Sequence, residues 1–261
     1  MKLYHNPVST CSQKVRLVLA GKGLDYSSQL LDLLAGDQFA PEYVAKNPNA
    51  VVPTLEDGDR VFIESTLINE YLEDAYPEPA MAPQDAAGRH AMRLWTKKID
   101  ELHPLCGIQT FAIGARPGML ARPKEEVDAL IQAIPDPGRR AVRRSVIDHG
   151  VQAPEFVGAY QGHEKFFDLA DQTLTGTLYL VGDTFSLADA ALLPYVLRVD
   201  HLNLHGLLEG RAALAAWYER VQSLPLYEAA VSSFLPEPMV AAFRTAGEAV
   251  AEDVRRAVGG S

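Results

Sequence analysis

The segment Pro77-Glu-Pro-Ala-Met-Ala-Pro83 divides this chain into two parts that must fold by different rules. Three prolines in seven residues remove backbone donors and fix φ, so neither a helix nor a strand runs through it. Before it the signals alternate. Lys2-Leu-Tyr-His5 reads as a short strand ended by Asn6-Pro7, and Lys14 to Gly23 carries Val15, Leu17, Val18 and Leu19 on a helical stripe that stops at glycine. Tyr26 to Leu33 reads as a second strand, and Gln38 to Lys46 as a short helix or irregular turn broken by Asn47-Pro48-Asn49. Thr54 to Ile63 reads as a hairpin around Asp57-Gly58, since Asp-Gly suits a two-residue turn. Ser65 to Ala75 places Leu67, Ile68, Tyr71 and Leu72 at helical spacing. The order β-α-β-α-β-β-α is complete by Tyr76.

After the break only helical patterns remain: Ala86–Phe111, Glu155–Leu174, Ser186–Leu202, Ala212–Leu224 and Pro238–Val258. Arg116 to His149 is rich in proline and arginine and is assigned no element. The expected organisation is an α/β domain over residues 1–78, a linker over 79–87 and an all-α domain over 88–261.

Composition narrows the function classes. The 24 basic and 34 acidic residues give a net charge of −10, which opposes binding to nucleic acid or to anionic lipid. Two cysteines, Cys11 and Cys106, cannot build a disulfide framework and suit a reducing compartment. No apolar run approaches the length of a membrane span, and the first twenty residues alternate polar and apolar too often for a signal peptide. The expectation is a cytoplasmic protein with no nucleic-acid or membrane partner.

Four local features of the first domain can serve one ligand. Ser9-Thr10 sits at a strand-to-helix junction, where a hydroxyl and a helix N-terminus favour an anion such as a thiolate; an ordinary N-cap has the same appearance. Val52-Pro53 precedes a strand, and a cis bond there lets residue 52 offer its N–H and C=O to an extended peptide. For an isolated Val-Pro, a trans bond is the default. Glu64-Ser65 opens a helix: Ser65 can cap it and receive a carboxylate, while Glu64 can accept from an ammonium group. The Gln38 amide can reach a second carboxylate. A thiol, a strand-like middle and two carboxylate ends describe glutathione.

These residues resemble the soluble glutathione transferases. Leu3-Tyr4, Ser9-Thr-Cys-Ser12, Asn47-Pro48, Val52-Pro-Thr-Leu55 and Glu64-Ser65 fall at the spacing of that family's thioredoxin-like domain. Gly182-Asp-Thr-Phe-Ser-Leu-Ala-Asp189 resembles its capping box and hydrophobic staple, with Ser186 at N-cap, Asp189 at N3 and Phe185 at N′. The resemblance implies a thioredoxin-like domain followed by an all-α domain, a homodimer, and glutathione as cosubstrate with no metal. It implies that Ser9, with Thr10 and Cys11 close by, activates the thiol, and that Gln38, Val52, Pro53, Glu64 and Ser65 hold the tripeptide.

The Ser-x-Cys-Ser motif, Val15-Arg16, Gly21-Lys-Gly23 and the position of Gln38 fifteen residues before Pro53 are most similar to the serine-type zeta class. Val51 and Gln13-Lys14 depart from that class and weaken an assignment to maleylacetoacetate isomerase. Met92 to Glu101 and Ile134-Pro-Asp-Pro137 followed by arginines resemble the bacterial glutathione-dependent β-etherases. The expected activity is therefore attack of glutathione on a hydrophobic, aromatic electrophile, with a role in detoxification. A maleylacetoacetate-type isomerase and a non-catalytic interaction protein are the alternatives.

Trp95, Ile99, His103 and Phe111 are candidates for the electrophile pocket, and at helical spacing they equally suit a core. His103 and Cys106 lack a second pair for zinc. Cys11 lacks the Cys-x-x-Cys of a redox site. Arg139, Arg140, Arg143 and Arg144 read as a solvated face paired with the acidic surplus, the alternative being an anion site.

Overall fold

The structure, a computed structural model, describes residues 1–259. Its first elements are β1 (Lys2–His5), α1 (Thr10–Gly21), β2 (Ser27–Leu30), a 3₁₀ turn (Asp37–Phe39), α2 (Pro41–Val44), β3 (Thr54–Asp57), β4 (Arg60–Phe62) and α3 (Ser65–Ala75). The sheet order is β2-β1-β3-β4. β1 and β2 are parallel because α1 supplies the crossover between them, and β1–β3 and β3–β4 are antiparallel. The hairpin closes as the sequence predicts, with Asp57 paired to Arg60 and Gly58 at φ +59°. That left-handed value is why glycine follows Asp57.

The helices that follow are α4 (Ala86–Asp100), α5 (Leu102–Gln109), α6 (Arg116–Leu120), α7 (Lys124–Gln132), α8 (Pro137–His149) and α9 (Pro154–Leu174). Then come α10 (Leu187–His201), α11 (Ala212–Gln222), α12 (Pro225–Ala230) and α13 (Glu237–Val258). The single helix expected over Ala86–Phe111 is interrupted. Pro104 has no N–H to continue a ladder from α4, so a new helix starts at Leu102, and a π-helical turn, Thr110–Gly114, follows it. The proline- and arginine-rich stretch is helical. Its prolines mark helix starts, where a missing N–H costs nothing: Pro117 opens α6, Pro123 precedes α7 and Pro137 is the first residue of α8.

The chain forms two compact units. One contains Met1–Asp100, Gln172–Pro194 and Ala215–Leu235; the other contains Glu101–Asp171, Tyr195–Leu214 and the helical segment from Pro236 onward. In the first unit Leu3, Val15, Val18, Leu55, Ile68 and Leu72 are fully buried, joining the sheet to α1 and α3. Helix α1 is buried on more than its apolar stripe because α3 and α12 both pack on it.

The capping box closes in the first unit. Asp189 accepts from the Ser186 amide at 2.9 Å, from the Ser186 hydroxyl at 2.9 Å, from the Leu180 amide at 3.0 Å and from Trp217 Nε1 at 2.9 Å. The Ser186 hydroxyl in turn accepts from the Ala188 amide at 3.3 Å. Phe185 lies edge-on to Tyr179, with ring centroids 5.9 Å apart.

Candidate functional site

Ser9 is the N-cap of α1, in extended backbone, and its Oγ accepts from the Ser12 amide at 3.3 Å. An oxygen that accepts in this way keeps its own O–H to donate elsewhere. The first turn of α1 carries no acidic side chain, so the helix dipole there is not already neutralised. Thr10 is buried, whereas Cys11 is partly exposed and is a thiol.

The loop that presents Ser9 is held from below by a buried cation. Arg16 donates to the carbonyls of Asn6 (3.1 Å), Pro7 (2.8 Å) and Ala230 (2.7 Å), and its Nη1 lies 3.0 Å from His5 Nδ1. Burial, with the Arg16 charge adding to it, pushes the His5 pKa down to about 4. The ring is therefore neutral at pH 7: Nδ1 accepts from Arg16 and Nε2–H donates to the Ser28 hydroxyl at 2.7 Å. Asn6 completes the turn, accepting from Val8 and giving its amide to the Leu31 carbonyl.

Val52-Pro53 is cis, not the trans bond expected of an isolated pair. Its flanks are fixed by Tyr43 and Asn47. The Tyr43 hydroxyl contacts the Val51 carbonyl at 2.6 Å and Thr54 Oγ1 at 2.9 Å, and Asn47 Nδ2 donates to the same two atoms at 2.9 and 3.1 Å. Among the described residues no backbone hydrogen bond engages Val52 itself, which leaves its peptide groups for a strand-like ligand.

Ser65 is the first residue of α3, not its cap. Glu64 takes the cap position at φ 67°, ψ 105°, without a side-chain cap bond. This backbone is strained for a residue with a Cβ, and such strain gathers at functional sites. The Glu64 carbonyl accepts from the Ile68 amide, which starts the helix, and its carboxylate accepts from Asn49 Nδ2 at 3.2 Å. Ser65 therefore offers both its hydroxyl and the amide of a helix N-terminus. Beside it, Thr66 Oγ1 donates to Asp100 Oδ1 at 2.7 Å and the buried Lys14 ammonium pairs with the same oxygen at 2.8 Å. These bonds tie α1, α3 and α4 together at this end of the helix.

Gln38 lies in the 3₁₀ turn, 9% exposed. Its Nε2 donates to the Leu33 carbonyl at 3.3 Å, and Oε1 is buried with no partner among the described residues. A buried acceptor left open in this way favours a ligand N–H, while the second hydrogen on Nε2 remains for a carboxylate.

The expected pocket residues fall in both units. Trp95, partly exposed, and Ile99, fully buried, are on α4 in the first unit. His103, exposed and edge-on to Tyr195, and Phe111, in the π-helical turn, belong to the second. Among the described residues no group of three or more His, Cys, Asp or Glu side chains is placed to hold a metal, and no helix is long and apolar enough to cross a membrane.

A thioredoxin-like sheet with a hydroxyl at the first helix cap, a cis-proline loop and a second open helix start, followed in sequence by an all-α region, defines a class of thiol-handling enzymes. Residues 3–80 match the family model for the glutathione S-transferase N-terminal domain, and residues 158–220 match that for its C-terminal domain. The chain is 30% identical over 257 residues to glutathione S-transferase TCHQD of Arabidopsis thaliana, covering 90% of each chain. It is 28% identical over 241 residues to the tetrachloro-p-hydroquinone reductive dehalogenase of Sphingobium chlorophenolicum, with 88% of this chain and 95% of that one covered. Among solved structures, the β-etherase LigF of Sphingobium sp. strain SYK-6 superposes with a TM-score of 0.79 at 27% identity, over 88% of this chain and 97% of that one. The chain belongs to the glutathione S-transferase family and is a glutathione-dependent enzyme.

Proposed function

We propose that this enzyme ionises the glutathione thiol at Ser9 and directs it at an aromatic electrophile, with cleavage of a β-aryl ether as the first reaction to test. The observation that carries this reading is the Ser9 hydroxyl, whose oxygen is occupied by the Ser12 amide and whose hydrogen is left to donate to sulfur. The tripeptide lies extended along Val52, with its γ-glutamyl end at Glu64-Ser65 and its glycyl end near Gln38. In the ether reaction the thiolate sulfur forms a bond to the carbon bearing the aryloxy group. The carbon–oxygen bond breaks, and the aryloxide takes up the proton that the thiol released.

The aromatic class is supported by the likeness to a β-etherase and to a hydroquinone dehalogenase. Residues 1–78 serve glutathione and 88–261 the electrophile in this reading, with a cytoplasmic homodimer as the working form, checked by light scattering, and detoxification as a role.

Titration calorimetry with millimolar glutathione is the first test, and absence of heat overturns the reading. With glutathione bound, a panel of one β-aryl ether, one activated aryl halide and maleylacetone separates the chemistries. Release of a phenol supports ether cleavage, whereas activity on maleylacetone alone makes the protein an isomerase.

Ser65→Ala separates binding from chemistry. Losing a charge-assisted hydrogen bond to a carboxylate costs about 1.5–3 kcal/mol, so the glutathione dissociation constant should rise roughly ten- to a hundredfold. Turnover at saturating glutathione should change little. An unchanged dissociation constant would place the γ-glutamyl carboxylate elsewhere.

A further inference from the structure

The arginine cluster on α8 divides into committed and uncommitted members. Arg144 pairs with Asp128 and Asp148, and Arg140 donates to the carbonyls of Ile134 and Pro135 at 2.6 and 3.2 Å. Arg144 fits the solvated face paired with acidic residues that the sequence suggests, whereas Arg140 is held by main-chain carbonyls. Arg143 differs from both. Its guanidinium carbon lies 3.1 Å from the centroid of the Phe111 ring, and among the described residues it meets no carboxylate.

Three acids of the same unit have other partners. Asp128 also holds Lys124, Asp136 caps α8 through the Arg139 amide, and Glu155 accepts from Ser145. The charged neighbour of Arg143 is instead Arg139, one turn earlier on α8, and like charges at that spacing repel.

The surroundings are apolar on the other side. Phe111 packs against the cluster of Met119, Val127, Ile131 and Ile147 and is itself only partly exposed. It sits in the π-helical turn, an irregularity often found at functional positions. Burial, with Arg139 acting in the same direction, lowers the Arg143 pKa to about 9, as expected for a desolvated cation without a counter-ion. Arg143 keeps partial solvent exposure, so a ligand can reach it.

We propose that Arg143, supported by Arg139 and seated on the Phe111 ring, is a recognition subsite for the carboxylate of an aromatic ligand. A planar guanidinium can take the carboxylate through two parallel hydrogen bonds while the exposed part of the Phe111 ring meets the aromatic body. Assigning that ligand as the electrophile rests on the function proposed above, and it narrows the substrate class to aromatic acids.

The test uses a matched pair, 4-chloro-3-nitrobenzoate and its methyl ester, titrated into the 261-residue chain without glutathione. Wild type should bind the acid more tightly than the ester. Arg143→Met should weaken acid binding by about tenfold or more and leave ester binding within about twofold, and Arg143→Lys should recover part of the difference. Arg139→Gln, at an exposed position that folding tolerates, should weaken acid binding by about twofold to fivefold. Equal affinity of wild type for acid and ester overturns the subsite. So does an acid affinity untouched by both variants, or a loss shared equally by acid and ester. Because glutathione is absent, a protein that ignores glutathione refutes the transferase chemistry without touching this result. With glutathione added, the acid-to-ester ratio of kcat/KM should fall in Arg143→Met by a similar factor.

Discussion

Asp189→Ala should lower stability by about 3–5 kcal/mol, because several buried donors lose their shared acceptor at once. Asp189 is fully buried and accepts four hydrogen bonds, from the Ser186 amide and hydroxyl, the Leu180 amide and Trp217 Nε1. Removing it leaves those buried donors without an acceptor, where each unsatisfied group costs about 1–3 kcal/mol before relaxation. The bonds join the start of α10 to the turn before it and to α11, so the loss reaches three segments of the first unit. At about 2–4 °C per kcal/mol for a chain of this size, the thermal midpoint should drop by roughly 10 °C. Asp189→Asn keeps the shape and one acceptor oxygen and should lose less. Denaturant unfolding measures both, and a loss below about 1 kcal/mol for alanine would mean that water reaches the orphaned donors.

Ser9→Ala should reduce turnover at pH 7 by roughly tenfold while glutathione affinity stays within about twofold. A free thiol with a pKa near 8.5 is about 3% ionised at pH 7, and a hydroxyl that lowers this by ~2 units brings ionisation to about three-quarters. The ceiling on the effect is therefore roughly 25-fold at pH 7, and the deficit should close as pH rises past about 8.5, where the unaided thiol ionises. The pH profile of kcat should shift upward in the variant, while the calorimetric dissociation constant remains nearly fixed. A profile that does not move assigns the role to Thr10 or Cys11, and Cys11→Ser distinguishes those two. Because Ser9 also caps α1, the variant should lose about 1 kcal/mol of stability as well, which melting curves separate from the kinetic effect.

Ser9 illustrates what a sequence conceals. As an N-cap, Ser9 is legible from its neighbours; that its oxygen accepts from the Ser12 amide and leaves its hydrogen over is decided by the fold. Glu64 is a sharper example. Sequence rules put Ser65 at the cap, because serine caps helices well and glutamate does not. The chain instead bends at Glu64 through a positive φ, which places Ser65 inside the first turn with its amide open. Local propensity lost there to the tertiary path from β4 into α3.

The residues alone determined whatever depends on neighbours within about four positions: the Asp57-Gly58 turn, the strand at Lys2–His5, the stripe of α1, the Ser186–Asp189 box, and the change from mixed to helical structure at Pro77–Pro83. Those signals are short-range hydrogen bonds, φ preferences and periodicity, carried by a few adjacent residues. The tertiary structure decided the contacts made across long stretches of chain. Arg16 reaches the Ala230 carbonyl 214 residues away, Lys14 reaches Asp100 86 residues away, and Arg143 comes to rest on Phe111. Four arginines on one helix read alike in sequence, and only packing separates Arg140 and Arg144, which are held by carbonyls and acids, from Arg143, which rests on an aromatic ring, and Arg139, which stays exposed. The reason is physical: a long charged side chain can be neutralised by any acid or carbonyl within its reach, and which one it meets is fixed by the fold rather than by its neighbours in the chain.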